Sequence, residues 1–150
     1  MAIADDIKSI RERTGAGVMD IKSALDEAKG DVEKALELLK KKGLKIAAKK
    51  SDRTTGQGLI ETYCHMGRIA AMVEINCETD FVARNPEFKE FAHDIALQVA
   101  SLDSDKVEDL LAMPLIKEPS KTVQDLLTEK IAMIGENIKI ARFARYVLGE

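Results

Sequence analysis

Apolar residues occupy every second position along one stretch in the middle of the chain. Between residues 69 and 75 every odd position is apolar (Ile69, Ala71, Val73 and Ile75), which predicts a strand with one buried face. Residues 59–64 form a second candidate strand, and the segment 65–67, which ends in a glycine, predicts the hairpin turn between them. Residues 138–148 are rich in β-branched and aromatic side chains and predict a third strand, with a bulge or twist at 141–144.

Helical spacing follows the hairpin. Apolar residues recur at intervals of three and four from Phe88 to Val99, which predicts an amphipathic helix over residues 86–101 that packs on the hairpin. Asn85 is a good N-cap for this helix, and Pro86 suits its first position.

Two more helices are predicted before the third strand. A weaker helical stretch covers residues 103–113, and the sequence TVQD at 122–125 resembles a capping box that starts a longer helix ended by Gly135. Helices that pack on an antiparallel three-stranded sheet make an α+β fold.

Three short helices are predicted near the N-terminus. The first is ended by the sequence TGAG at 14–17, and the second runs from about Asp20 to Gly30. The third is capped by Asp31 and ended by Gly43. Three helices in so short a segment predict a small module with its own core.

A basic segment separates this module from the predicted sheet. Residues 40–53 contain seven basic residues and one acidic residue, without aromatic side chains on which nucleic-acid bases would stack. Like charges repel, so an extended, solvated hinge is favoured over an RNA contact. The predicted organisation is a three-helix module at 1–44, a basic linker at 45–57 and an α+β core at 58–150.

Composition narrows the class of function. The formal net charge of −3 argues against a protein that coats nucleic acid. Neither a long apolar run nor a signal-like N-terminus is present, so we expect a cytoplasmic protein without a membrane role. Cys64 and Cys77 lack metal-ligand spacing and are expected to be free thiols. Without a nucleophile–base pair or a phosphate loop, neither an enzyme nor a cofactor is predicted.

Two places in the sequence are candidates for contact with a partner. Asp80 and Phe81 are adjacent on the connector between the second strand and the helix at 86–101, and such connectors often carry binding residues. The alternative is that Phe81 is a core residue and Asp80 caps a turn. Val18 and Met19 follow two glycines; we expect one of them to fill the core and the other to face solvent.

Three motifs add a family resemblance. The sequences RERTGAGVMD at 11–20, CETDFVARN at 77–85 and IGENI at 134–138 closely resemble signatures of the elongation factor Ts family, the guanine-nucleotide exchange factors for elongation factor Tu. The resemblance implies that the N-terminal helices form a ubiquitin-associated-like module. The chain looks like the short type of this family, shortened further between residues 113 and 122. In that type, a homodimer through the core sheet is implied.

The resemblance also implies roles for individual residues. A first group would disturb the magnesium site of elongation factor Tu: Thr79, Asp80, Phe81 and Val82. A second group would contact the same partner: Arg11, Val18, Met19, Lys22, Ile134, Gly135, Glu136 and Asn137. No cofactor or metal of the chain's own is implied.

Two other functions stay open at this point. The first is an adaptor in which the ubiquitin-associated-like module binds proteins on its own. The second is an RNA-binding protein that uses the basic segment at 40–53, although the acidic balance of the chain argues against it.

Overall fold

The computed structural model describes residues 2–150, so Met1 of the predicted module lies outside it. The elements, in chain order, are α1 (Ala2–Thr14), α2 (Val18–Glu27), α3 (Val32–Lys50), β1 (Gln57–His65), β2 (Ile69–Cys77), α4 (Asp80–Ala83), α5 (Pro86–Ser101), α6 (Val107–Ala112), α7 (Val123–Ile134) and β3 (Lys139–Val147). The predicted α+β fold is confirmed. None of the helices within residues 2–150 is both long and apolar enough to cross a membrane.

The N-terminal helices share a small core. Its buried residues are Ile10, Ile21, Ala24, Leu25, Ala28 and Ala35. The Asp31 carboxylate accepts a hydrogen bond from the Lys34 backbone N–H at 3.1 Å, as expected for the cap of α3.

The third helix does not end at Gly43, so that prediction was wrong. It continues to Lys50, so residues 45–50 of the predicted extended linker are helical. Gly43 is buried against α7: a Cβ built on it would lie 3.8 Å from Ala132 Cβ and from Thr128 Cγ2. A glycine costs about 1 kcal/mol in a helix interior, and this packing against α7 outweighs that local preference.

The three strands form one antiparallel sheet with β2 in the centre. The β1–β2 register runs from Gln57 opposite Cys77 to His65 opposite Ile69. The predicted bulge in β3 is confirmed: Glu74 pairs with Arg142 and Ile75 with Ile140, which leaves Ala141 as the extra residue.

The main core lies between one face of this sheet and the helices that follow it. Ala71, Val73, Ile75 and Cys77 of β2 are buried there together with Phe88 and Phe91 of α5. The Asn85 side chain accepts a hydrogen bond from the Glu87 backbone N–H at 2.8 Å and caps α5 as predicted. Since β2 and β3 are antiparallel neighbours, the segment after β2 and the segment before β3 lie at the same end of the sheet.

Candidate functional site

The segment that follows β2 forms a small projecting turn, here called the tip (residues 79–83). It consists of the single-turn helix α4 and its N-cap, Thr79, whose Oγ1 accepts a hydrogen bond from the Val82 backbone N–H at 3.3 Å. Val82 and Ala83 are half-buried and pack against the main core. Phe81 is 81% exposed, so the alternative that it is a core residue was wrong.

Asp80 is the charged residue of the tip. Its carboxylate accepts a hydrogen bond from Arg84 Nη2 at 2.5 Å, and both side chains are exposed. Exposed ion pairs of this kind contribute at most about 1 kcal/mol to stability. The Asp80 carboxylate is therefore next to Phe81 in the tip, and its weak ion pair with Arg84 can readily be replaced by a contact with another molecule.

The connector between α7 and β3 supports the base of the tip. Glu136 Oε1 accepts hydrogen bonds from the backbone N–H groups of Glu78 (3.1 Å) and Thr79 (3.0 Å). Its Oε2 accepts a third from Thr79 Oγ1 at 2.7 Å. In return, the Glu78 carboxylate accepts a hydrogen bond from the Asn137 backbone N–H at 2.8 Å. The connector and the base of the tip are therefore joined through Glu136 and Glu78.

Asn137 joins the same contacts to the end of α3. The residue is 3% exposed, and its Nδ2 donates to the backbone carbonyl of Arg53 at 2.9 Å and to that of Ser51 at 3.4 Å. Arg53 in turn forms an ion pair with Glu78, with Nη1 and Oε1 3.5 Å apart. Neither Glu78 nor Arg53 was predicted as a site residue, because their pairing depends on tertiary register that no local pattern reveals.

The remaining residues of this connector lie at the end of α7. Gly135 is exposed and has a φ of +87°, the left-handed conformation that ends a helix. Ile134 is half-buried and packs on the main core. Their part in partner contact stays a prediction.

The N-terminal module presents the second group of predicted contact residues. Val18 is 41% and Met19 77% exposed, so the expectation that one of them fills the core was wrong. The reason is that α2 starts at Val18 and turns Ile21, Ala24 and Leu25 inward. Lys22 is exposed three residues after Met19 and shares its face of α2. Arg11, on α1, is also exposed.

The N-terminal module contacts α7 and the segment just before it directly. Lys121 Nζ donates to the Arg13 backbone carbonyl at 2.8 Å, and Lys40 Nζ lies 3.6 Å from Asp125 Oδ1. Gly15 approaches Met133 so closely that an added Cβ would lie 2.7 Å from its Sδ. These contacts place the two candidate surfaces on packed parts of the same fold.

A buried thiol lies close to the tip. Burial, reinforced by the negative charge of Glu136, raises the pKa of the Cys77 thiol to about 11, so the thiol stays protonated at neutral pH. Within residues 2–150, no group of three or more histidine, cysteine or acidic side chains is arranged to hold a metal ion.

Comparison with known proteins identifies relatives of the whole chain. The family model described as Elongation factor TS matches residues 78–150. The chain is 46% identical to Elongation factor Ts of Carboxydothermus hydrogenoformans in an alignment of 196 positions, which covers 100% of the chain and 90% of the relative. It is 44% identical to Elongation factor Ts of Finegoldia magna (98% of the chain, 89% of the relative). With Elongation factor Ts of Moorella thermoacetica the identity is 41% (100% and 97%).

Proposed function

Because the chain belongs to the elongation factor Ts family, we propose that it is the guanine-nucleotide exchange factor for elongation factor Tu in translation elongation. It binds the GDP-bound and nucleotide-free forms of that partner and promotes the release of GDP. The observation that carries this proposal is the exposure of Phe81, 81%, beside the Asp80 carboxylate. As a translation factor it acts in the cytoplasm.

The proposed mechanism acts on the magnesium site of the partner. A GTPase holds its nucleotide through backbone amides, a lysine and a magnesium ion on the phosphates. Magnesium requires near-ideal octahedral geometry at about 2 Å. An exchange factor therefore has only to displace the elements that support the metal. Phe81 enters between two helices of elongation factor Tu, Asp80 changes the charge around the metal, and Thr79 and Val82 hold the turn that presents them.

The tip alone does not supply enough energy. Burying a phenylalanine contributes about 2–3 kcal/mol, whereas a ten-thousand-fold increase in the release rate requires about 5.5 kcal/mol at 1.4 kcal/mol per decade. The N-terminal module supplies a second contact through Val18 and Met19, flanked by the cations Arg11 and Lys22. Ile134 and Gly135 extend the contact at the tip. By linkage, bound nucleotide weakens the complex by the same factor.

The outer face of the sheet supports a homodimer. Ile60 (59% exposed), Met72 (51%) and Tyr146 (78%) come from all three strands and lie on the face opposite the main core. Exposed apolar side chains on one sheet face are suited to contact with the same face of a second copy. We propose that two chains pair through this face.

Release of labelled GDP from elongation factor Tu tests the exchange function. The unmodified chain accelerates release, and Phe81→Ala lowers the rate by about 30- to 150-fold, the equivalent of about 2–3 kcal/mol. Asp80→Ala lowers it as well. Met66→Ala is the matched control, since Met66 is 82% exposed in the hairpin turn at the other end of β2. Full activity of both Phe81→Ala and Asp80→Ala would exclude the proposed mechanism.

A further inference from the structure

We propose that Glu78, Glu136 and Asn137 form a clasp that positions the tip relative to the N-terminal module. Two of these residues, Glu136 and Asn137, belong to the motif at 134–138, which the family resemblance assigns to partner contact. In this structure, however, they act on the chain itself. The proposal rests on the exchange function above and names the residues that hold its contact geometry in place.

The polar groups of the clasp are occupied within the chain. The Glu136 carboxylate accepts three hydrogen bonds at 2.7–3.1 Å, from two backbone N–H groups and one hydroxyl. The Asn137 backbone N–H and side-chain amide donate to Glu78 and to the segment after α3. At 3% exposure Asn137 offers no surface to a partner. Hydrogen bonds to a carboxylate are stronger than those between neutral groups, so these contacts define a fixed geometry.

The clasp connects three segments that are far apart in sequence. These are residues 51–53 after α3, residues 78 and 79 before α4, and residues 136 and 137 before β3. Helix α3 belongs to the N-terminal module at its start, and α4 carries Phe81. The clasp therefore joins the segment that follows α3 to the backbone that presents Phe81.

Phe81 depends on this support because its own side chain makes little contact with the fold. With 81% of the residue exposed, its position is set by the backbone of the tip rather than by packing around the ring. That backbone is held by Val82 and Ala83 on the core side and by the clasp at Thr79. A displacement of about 1 Å at a contact that must match two surfaces at once is costly.

A double-mutant cycle distinguishes positioning from direct contact. The substitutions are Glu136→Gln and Phe81→Ala, alone and together, and the measurement is the Kd of the full chain for nucleotide-free elongation factor Tu. We expect Glu136→Gln to weaken binding by about tenfold in the parent, about 1.4 kcal/mol, and by less than about twofold in the Phe81→Ala background. Glu108→Gln, an exposed glutamate on α6, is the matched control and leaves the Kd unchanged.

Equal losses in both backgrounds would mean that Glu136 touches the partner or supports the fold in general, and would overturn the proposal. Two substitutions at Thr79 keep the test valid if Glu136→Gln is unstable. Thr79→Val removes the hydroxyl that donates to Glu136 and lowers the affinity for elongation factor Tu, whereas Thr79→Ser keeps a hydroxyl and retains the affinity of the parent. Amide hydrogen exchange adds a readout in the free chain, because the Glu78 and Thr79 N–H groups exchange faster in Glu136→Gln. Unchanged protection of these two amides would also contradict the clasp. If Phe81→Ala itself had no effect on Kd, the exchange mechanism would fail, whatever the clasp does.

Discussion

Gly58 is the position at which one added methyl group is expected to cost most. It lies near the start of β1, opposite Asn76, with a φ of +151°. A Cβ built there would lie 2.1 Å from the Ile75 carbonyl oxygen and 2.8 Å from Asn76 Cα. Both atoms belong to the backbone of the central strand, so no rotation of a side chain relieves the overlap.

Two costs add in Gly58→Ala. Overpacking in a dense region costs about 1–3 kcal/mol, and a backbone angle that only glycine adopts easily costs another 1–3 kcal/mol or so. We therefore expect the free energy of unfolding to fall by about 2–6 kcal/mol, a large part of the total of roughly 5–15 kcal/mol for a domain. The strand pairing would open first at the end of the sheet that carries the tip.

Urea unfolding followed by circular dichroism measures this loss. With a slope of about 2 kcal/mol per molar urea, the midpoint moves down by about 1–3 M. Gly56→Ala is the matched control, because an added Cβ there has no atom within 4 Å and the residue lacks a positive φ. Its midpoint stays the same or rises slightly. Equal midpoints for the two variants would refute the argument from close backbone approach.

Two further predictions concern the outer sheet face and the thiols. Met72→Glu places a charge among the exposed apolar residues of the outer sheet face. Light scattering is expected to give twice the chain mass of 16.5 kDa for the parent and the single chain mass for this variant. Equal masses for the two proteins would contradict the dimer. In the Met72→Glu monomer, a thiol reagent at pH 8 is expected to modify exposed Cys64 at once and buried Cys77, with its pKa raised to about 11, only after unfolding; rapid modification of both thiols in the native monomer would contradict the packing of Cys77.

Much of the fold could be predicted from local patterns. The alternation at 69–75, the cap at Asn85 and the capping box at Thr122 each depend on residues close in sequence, and each has its expected counterpart in the structure. The bulge in β3 was also predictable, because the broken alternation marks it.

The end of α3 could not be predicted in the same way. Local preference stops a helix at Gly43, and only the surface of α7, about 85 residues later in the sequence, explains why it continues. The basic residues after Gly43 mark a helix surface as well as they mark a hinge, so composition does not decide between the two.

The candidate site was predicted as a set of residues but not as an arrangement. The place of Phe81 on a connector left both an exposed and a buried side chain open, and the exposure of both Val18 and Met19 depends on where α2 starts. The roles of Glu78 and Arg53 require two connectors to meet at one end of the sheet. Contacts between distant connectors depend on strand register, which is fixed only when the whole chain is folded.

The length of α3 fixes the orientation of the first three helices relative to α7. Its first half closes the N-terminal core and its second half lies on α7, within one uninterrupted helix of 19 residues. One inserted residue near its middle would turn everything before it by about 100° around the helix axis and move it by about 1.5 Å. Any change in the length of this segment therefore has to come in whole turns, or the first three helices face a different direction.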